Sequence, residues 1–323
     1  MSCALVPAAL ATALGQTTPR DGYLRADDGV RLYYRVVGSG PDTLIAIHGG
    51  PGVDLESIAG DFVPLEQRHV VVFYDQRGAG RSELPADTST LVSANQIRDL
   101  DAVRRFFHLD KVTLIAHSYG PLLAATYAIA HPDHTARMIL MGPVPPRRGD
   151  WSRRFGASLN ARLDSTQRRR QADAMRRLAD RTADSAAIVA ACRDYWSVGM
   201  RPRLAEPDRT LPMIKSDLCG SSPRGIQFGL TVTNPSVMRS YGDYDLRSAL
   251  RTLAVRTLVI HGQQEAIPMD LVEEWVTSMP DARLLRVPRA AHFTYAERPD
   301  IVWPAIEQFL RGEWPPASER LKP

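Results

Sequence analysis

Leu114-Ile115-Ala116-His117-Ser118-Tyr119-Gly120 runs directly into Pro121-Leu122-Leu123-Ala124-Ala125. The first residues form an apolar run that predicts a buried strand, and the last predict a helix. A serine on so tight a strand-to-helix turn points its hydroxyl away from the backbone, above the sheet. The turn is strained, which suits a nucleophile better than a structural residue. Ala116 and Gly120 stand two before and two after Ser118. Small residues at both places let helix and strand approach closely. A serine after a buried strand also serves as a helix cap, so the pentapeptide alone leaves both readings open.

The flanking sequence repeats the same rhythm. Residues 31–37 read as an early strand ended by Gly38-Ser39-Gly40-Pro41. Residues 43–47 read as a buried strand running into His48-Gly49-Gly50-Pro51-Gly52, and 69–74 as another running into Asp75-Gln76-Arg77-Gly78-Ala79-Gly80-Arg81-Ser82. A helix is predicted over 94–107, with Ile97, Leu100, Val103, Phe106 and Phe107 at helical spacing. After the Ser118 strand come a helix to about residue 130 and a strand at 138–141. Apolar strands alternating with helices predict a mostly parallel central sheet with helices on both faces. In such sheets the chemistry gathers at the carboxyl ends of the strands. The loops starting at His48 and Asp75, and the Ser118 turn, all lie at such ends.

The strand rhythm stops between the two halves of this pattern. Residues 146–249 hold arginine-rich helical segments and Pro- and Gly-containing loops, which predict an inserted helical cap. The core is then 21–145 and 250–323, with strands at 257–262 and 283–287 and a closing helix over 300–310. No internal repeat or low-complexity segment is found.

Bulk properties narrow the function classes. The chain has 323 residues and a formal net charge of +4. The excess is arginine, since only Lys111, Lys215 and Lys322 are lysine. The densest basic stretch, 147–181, is interleaved with Asp150, Asp164, Asp173 and Asp180, which predicts solvated helix faces rather than a nucleic-acid surface. No apolar run in the sequence reaches the length that spans a bilayer. Residues 3–15 resemble the apolar region of a signal peptide without its basic leader, so residues 1–20 are expected to be a signal peptide or a disordered N-terminus. Export to the periplasm or medium is the expected localisation, and the cytoplasm is the alternative. Cys192 and Cys219 would form a disulfide in an exported protein and remain thiols in a cytosolic one. The sequence leaves their pairing and the oligomeric state open.

A serine hydroxyl needs a base, and the base needs an orienting carboxylate. Both are available at later strand ends, in the order serine, acid, histidine that this kind of sheet uses. His292 follows the last strand read from the sequence and is the only histidine after His261. For the acid, Glu265 lies in the turn after Ile260, where an aspartate is usual. Asp270 competes, but Asp270-Leu271-Val272-Glu273 also reads as a capping box. Glu265 is therefore the expected acid. Acyl transfer also needs donors aimed at a developing oxyanion. The backbone N–H groups of Tyr119 and Gly50 are the candidates.

Taken together, His48-Gly49-Gly50-Pro51-Gly52, the run from Asp75 to Ser82 and the Ser118 turn resemble the proline iminopeptidase branch of the α/β-hydrolase superfamily. The resemblance covers about residues 22–145 and 250–312. It implies an α/β-hydrolase fold, a serine peptidase mechanism and release of an N-terminal residue from a peptide, amide or arylamide. No metal or organic cofactor is implied, and the partner is a small-molecule or short-peptide substrate. Family members bind the substrate's free amine with carboxylates on the cap. Asp194, Glu206, Asp217, Asp243 and Asp245 are the candidates for that task here. Two departures stand out. Tyr119 occupies a place where tryptophan is common, and Tyr195-Trp196-Ser197-Val198-Gly199 lacks the Trp-x-x-Trp-Glu pattern. The competing expectations are an esterase, lactonase or amidase of the same fold, and a non-catalytic ligand-binding protein that keeps the fold.

Overall fold

The computed structural model describes residues 20–322. The signal-peptide expectation and Cys3 lie outside those residues. One sheet of nine strands organises the described chain. The strands are β1 (Arg20–Arg25), β2 (Arg31–Gly38), β3 (Thr43–Ile47), β4 (Val70–Tyr74), β5 (Val112–His117), β6 (Thr135–Met141), β7 (Arg256–Gly262), β8 (Ala282–Val287) and β9 (Ser318–Glu319). Their spatial order is β1-β2-β4-β3-β5-β6-β7-β8-β9. Pairing is parallel from β4 through β8 and antiparallel at both margins.

Every residue of β4 is buried, as are four of the five in β3. Their Val, Ile and Leu side chains need cover on both faces, and helices supply it. The helix Ser93–Phe106 buries Leu100 and Val103 against the sheet. Phe106 leaves that expected apolar face and is 44% exposed. It stacks instead with Tyr34 and Phe107 at the margin. Two strands were not read from the sequence. β1 is an edge strand with a mostly exposed or half-buried face, and β9 has two residues, so neither carries a strong apolar signal.

The chain order places the site. From β3 the chain moves one way to β4, then crosses back so that β5 lies on the other side of β3. The strand order reverses there, and a crevice opens at the carboxyl ends of β3 and β5. The helix Gly120–Ala130 starts in that crevice, close against β3. A Cβ at Gly120 would stand 2.6 Å from the Ile47 carbonyl oxygen.

Between β6 and β7 the chain forms the helices Trp151–Ala161, Ser165–Ala179, Ser185–Gly199, Pro223–Phe228 and Asn234–Ser240, among shorter turns. Leu178, Ile188, Ala191 and Ile226 form an apolar cluster within this insertion. Cys192 and Cys219 belong to the same cluster and are joined by a disulfide, with Cα atoms 6.0 Å apart. The arginines of the basic stretch pair with neighbouring carboxylates on exposed faces, as with Arg176–Asp173 and Arg170–Asp194. The insertion sits over the strand ends. Thr233 Oγ1 donates to the Gly78 carbonyl (2.6 Å), and Asn234 Nδ2 donates to the Pro51 carbonyl (2.7 Å).

Two glycine-to-alanine substitutions are expected to have opposite signs. Gly120→Ala forces the first turn of the helix off β3 and lowers stability by about 1–3 kcal/mol. At Gly156, inside the helix Trp151–Ala161, an added Cβ meets nothing within 4 Å, so Gly156→Ala raises stability by about 0.5–1 kcal/mol. Urea denaturation midpoints of the two variants test the pair. A shift of the same sign in both contradicts the close-approach argument.

Candidate active site

Ser118 has φ +63°, a left-handed backbone that non-glycine residues seldom adopt. Neighbouring strand ends hold it there. Ser118 N–H donates to the Met141 carbonyl (2.9 Å), and its own carbonyl accepts from Val144 N–H (3.0 Å). The helix begins two residues on, so Tyr119 N–H belongs to a helix start and has no acceptor among the described residues. Gly50 N–H likewise has no acceptor among them. The Tyr119 side chain turns into the core, where its hydroxyl donates to Gln96 Oε1 (2.7 Å).

The structure brings Ser118, His292 and Glu265 into one line. Ser118 Oγ lies 3.0 Å from His292 Nε2, and His292 Nδ1 lies 2.9 Å from Glu265 Oε2. The other carboxylate oxygen, Oε1, accepts from the Ala266 N–H (2.7 Å) and the Ile267 N–H (3.1 Å). Burial alone pushes the Glu265 carboxyl up. The His292 ring and these hydrogen bonds outweigh it and hold the group down at about 2. Asp270 is elsewhere. It lies on the exposed face of the helix Met269–Ser278 and pairs with both ends of the Arg154 guanidinium (2.9 and 3.0 Å). Its expected capping box is absent, because the helix is entered through Pro268 without a side-chain cap.

The sequence motifs build the walls around this line. His48 Nε2 accepts from Gln76 N–H (3.1 Å), and Gln76 Nε2 donates to the His48 carbonyl (3.0 Å). Burial pushes His48 down to about 4, so it stays neutral and structural. Asp75 accepts from Leu55 N–H (2.8 Å) and Arg81 N–H (2.7 Å), which closes the neighbouring loop. Arg77 is buried in a two-pronged pair with Asp99, at 2.6 Å for each prong. These residues hold loops in place and do not touch Ser118.

Sequence reasoning missed three residues. The first is His117, the residue before Ser118. Burial pushes it down to about 3, and its Nε2–H donates to the His292 carbonyl (3.0 Å). The second is Glu297. Its carboxylate accepts from Ala291 N–H (2.7 Å) and from Ala205 N–H (2.6 Å), so it clasps the His292 loop to the insertion. Arg203 was also passed over. Its carbonyl accepts from His292 N–H (3.0 Å), and its side chain lines the cavity beside Ser118. A signal for these contacts is hard to find in one sequence, because each joins residues far apart in the chain.

That cavity holds about 270 Å³ and is walled by Gly50, Ser118 and His292 on one side and by Phe155, Trp196 and Arg203 on the other. No Asp or Glu lines it among the described residues. The five carboxylates expected to receive an amine lie outside it. Asp194 pairs with Arg170 and Arg177, Asp217 with Arg193, Glu206 with Arg209 and Asp245 with Arg247, while Asp243 is exposed.

This chain belongs to the α/β-hydrolase fold family, whose profile matches residues 42–299. It is similar to the proline iminopeptidase of Lactiplantibacillus plantarum, at 24% identity over 84% of this chain and 93% of that one. Among solved structures it resembles a proline iminopeptidase of Mycobacterium smegmatis, with a TM-score of 0.67, 21% identity, and 91% and 98% of the two chains covered. It also resembles a thermophilic esterase from Thermogutta terrifontis, with a TM-score of 0.64, 21% identity, and the same coverage of 91% and 98%. Among the described residues no helix is long and apolar enough to cross a bilayer.

Glu297→Ala strands the Ala291 and Ala205 N–H groups without their acceptor. The expected loss is about 1–3 kcal/mol. It is read from the shift in the urea midpoint, and an unchanged midpoint would remove the clasp from the account.

Proposed function

We propose that this protein is a serine hydrolase that acts through an acyl-enzyme on a small ester or amide. The observation that carries this reading is the unbroken line from Ser118 Oγ through His292 to Glu265, at 3.0 and 2.9 Å. His292 Nδ1–H donates to Glu265 Oε2, which leaves the Nε2 lone pair facing the serine hydroxyl. Ser118 Oγ attacks the substrate carbonyl carbon and passes its proton to His292 Nε2. The free N–H groups of Gly50 and Tyr119 hold the oxyanion, each supplying about 3–4 kcal/mol at the transition state. The leaving group departs with the proton from His292. Water then attacks the acyl carbon and gives a proton to His292, which donates it to Ser118 Oγ as the bond from acyl carbon to Oγ breaks and the acid product leaves.

Two substrate readings compete. Likeness to proline iminopeptidases supports release of an N-terminal residue. The cavity favours a small ester, lactone or amide without a free amine. A buried ammonium needs a paired carboxylate, and none lines the wall. The Cys192–Cys219 disulfide supports export to an oxidising compartment.

A fluorophosphonate probe is expected to label the wild type and not Ser118→Ala. Folded wild type that stays unlabelled would leave the non-catalytic binding protein as the better reading. Glu265→Gln is expected to slow labelling by about a thousandfold or more, while Asp270→Asn leaves it within a few-fold. The reverse outcome moves the acid to Asp270. For the substrate, proline arylamide, its N-blocked form and a short-chain aryl ester are compared by kcat/KM. The expected result is indifference to the free amine and faster ester turnover. Strong preference for the unblocked proline compound restores the aminopeptidase reading.

A further inference from the structure

The charge that faces Ser118 across the cavity is positive. Arg203 follows the helix Ser185–Gly199 and lines the cavity with Ser118 and His292. Its guanidinium carbon lies 5.7 Å from the centre of the Phe155 ring and 5.5 Å from that of Trp196. The Phe155 ring is in turn 6.5 Å from the His292 ring, so cation and reacting pair line one small cavity.

Arg203 is not accounted for by the fold. One N–H donates to the Gly199 carbonyl at the end of the preceding helix. No Asp or Glu oxygen lies within salt-bridge distance of it among the described residues, although most arginines of the insertion have such a partner. A guanidinium presents a fork of donors, and the rest of this fork has no acceptor among the described residues. The second observation is Trp196. Its indole N–H is buried with no acceptor among the described residues, and Trp196 lines the same cavity. Indole N–H donates only. The Arg203 guanidinium therefore sits against the Trp196 and Phe155 rings with donors that have no acceptor among the described residues.

We propose that Arg203 is a specificity-determining residue and that the substrate carries a carboxylate, held by the Arg203 fork while Ser118 attacks a carbonyl elsewhere in the same small molecule. This rests on the serine-hydrolase reading and names its substrate class. Planar bidentate pairing is the interaction guanidinium makes best with a carboxylate. Burial moves the Arg203 pKa down from its ordinary value, and a bound anion relieves that penalty. A substrate ammonium at the same place meets repulsion instead. The aromatic faces of Phe155 and Trp196 steady the cation between turnovers.

Protection of Ser118 from a neutral fluorophosphonate tests this without knowledge of the substrate. Labelling is timed in the presence of hexanoate against hexanamide, and of phenylacetate against phenylacetamide, at constant ionic strength. In the wild type, half-protection is expected at a concentration at least about tenfold lower for a carboxylate than for its amide. The ratio falls towards one in Arg203→Met and is kept in part in Arg203→Lys, which retains charge without the fork. Equal protection by acid and amide in the wild type overturns the inference and leaves Ser118 as nucleophile. A preference that survives in Arg203→Met overturns it too. Wild type that does not label at all overturns the hydrolase reading, and this inference with it. Should a variant fail to fold, the wild-type ratio alone decides.

Discussion

The approach of one helix to one strand sets the rest of the site. The helix Gly120–Ala130 begins so close to β3 that a side chain at Gly120 has no room beside the Ile47 carbonyl. To reach that position from the end of β5, the chain must turn within a residue or two. Ser118 absorbs the turn and takes φ +63°. The strain is local, and the hydrogen bonds of Ser118 to Met141 and Val144 hold it. The same geometry leaves Tyr119 N–H free at the helix start and sends the Tyr119 ring into the core. The proposed nucleophile and one proposed oxyanion donor are thus products of a packing constraint.

The histidine is governed differently. Its loop passes through a left-handed residue, Arg289 at φ +52°, and buries Ala290, Ala291 and Phe293. It is held by polar clasps from three directions. His117 reaches its carbonyl from β5, the Arg203 carbonyl takes its N–H from the insertion, and Glu297 holds Ala291 and Ala205 together. Each clasp joins groups that would be costly to bury unpaired. The arrangement couples the insertion to the reacting histidine through Arg203 and Ala205. Movement of the insertion is therefore felt at His292, whereas Ser118 answers chiefly to the sheet.

This difference explains what could be read from one sequence. Ser118, Gly50, the alternation of strands and helices, and the site of the insertion follow from local patterns that short windows carry. His292 and Glu265 were legible because strand ends impose an order on the chain. Asp270 was read as a helix cap on spacing alone. Proline at 268 enters the helix without one, and the carboxylate pairs with Arg154 instead. Glu297 and Arg203 left no such mark. Their meaning lies in partners scattered along the chain, and only the folded structure brings those together. β1 was hidden for another reason. It is an edge strand whose side chains alternate between half-buried and exposed, although Asp28-Gly29 before β2 is a hairpin signal in plain view.

The contrast between core and insertion also bears on what the family likeness conveys. The features that generate it lie at strand ends, and they fix reaction chemistry. Substrate choice rests on the opposite wall, where this chain departs from the pattern expected of an amine-binding cap. There four of the five expected carboxylates are spent in surface pairs with arginines, and an arginine lines the cavity with Ser118 instead. A cavity of about 270 Å³ is at the small end for ligand sites, so a charge on its wall cannot be avoided by a substrate that fills it. In a recessed site that charge is screened less than it would be in open water. One cation there outweighs a good deal of shared sequence in deciding which molecules Ser118 meets.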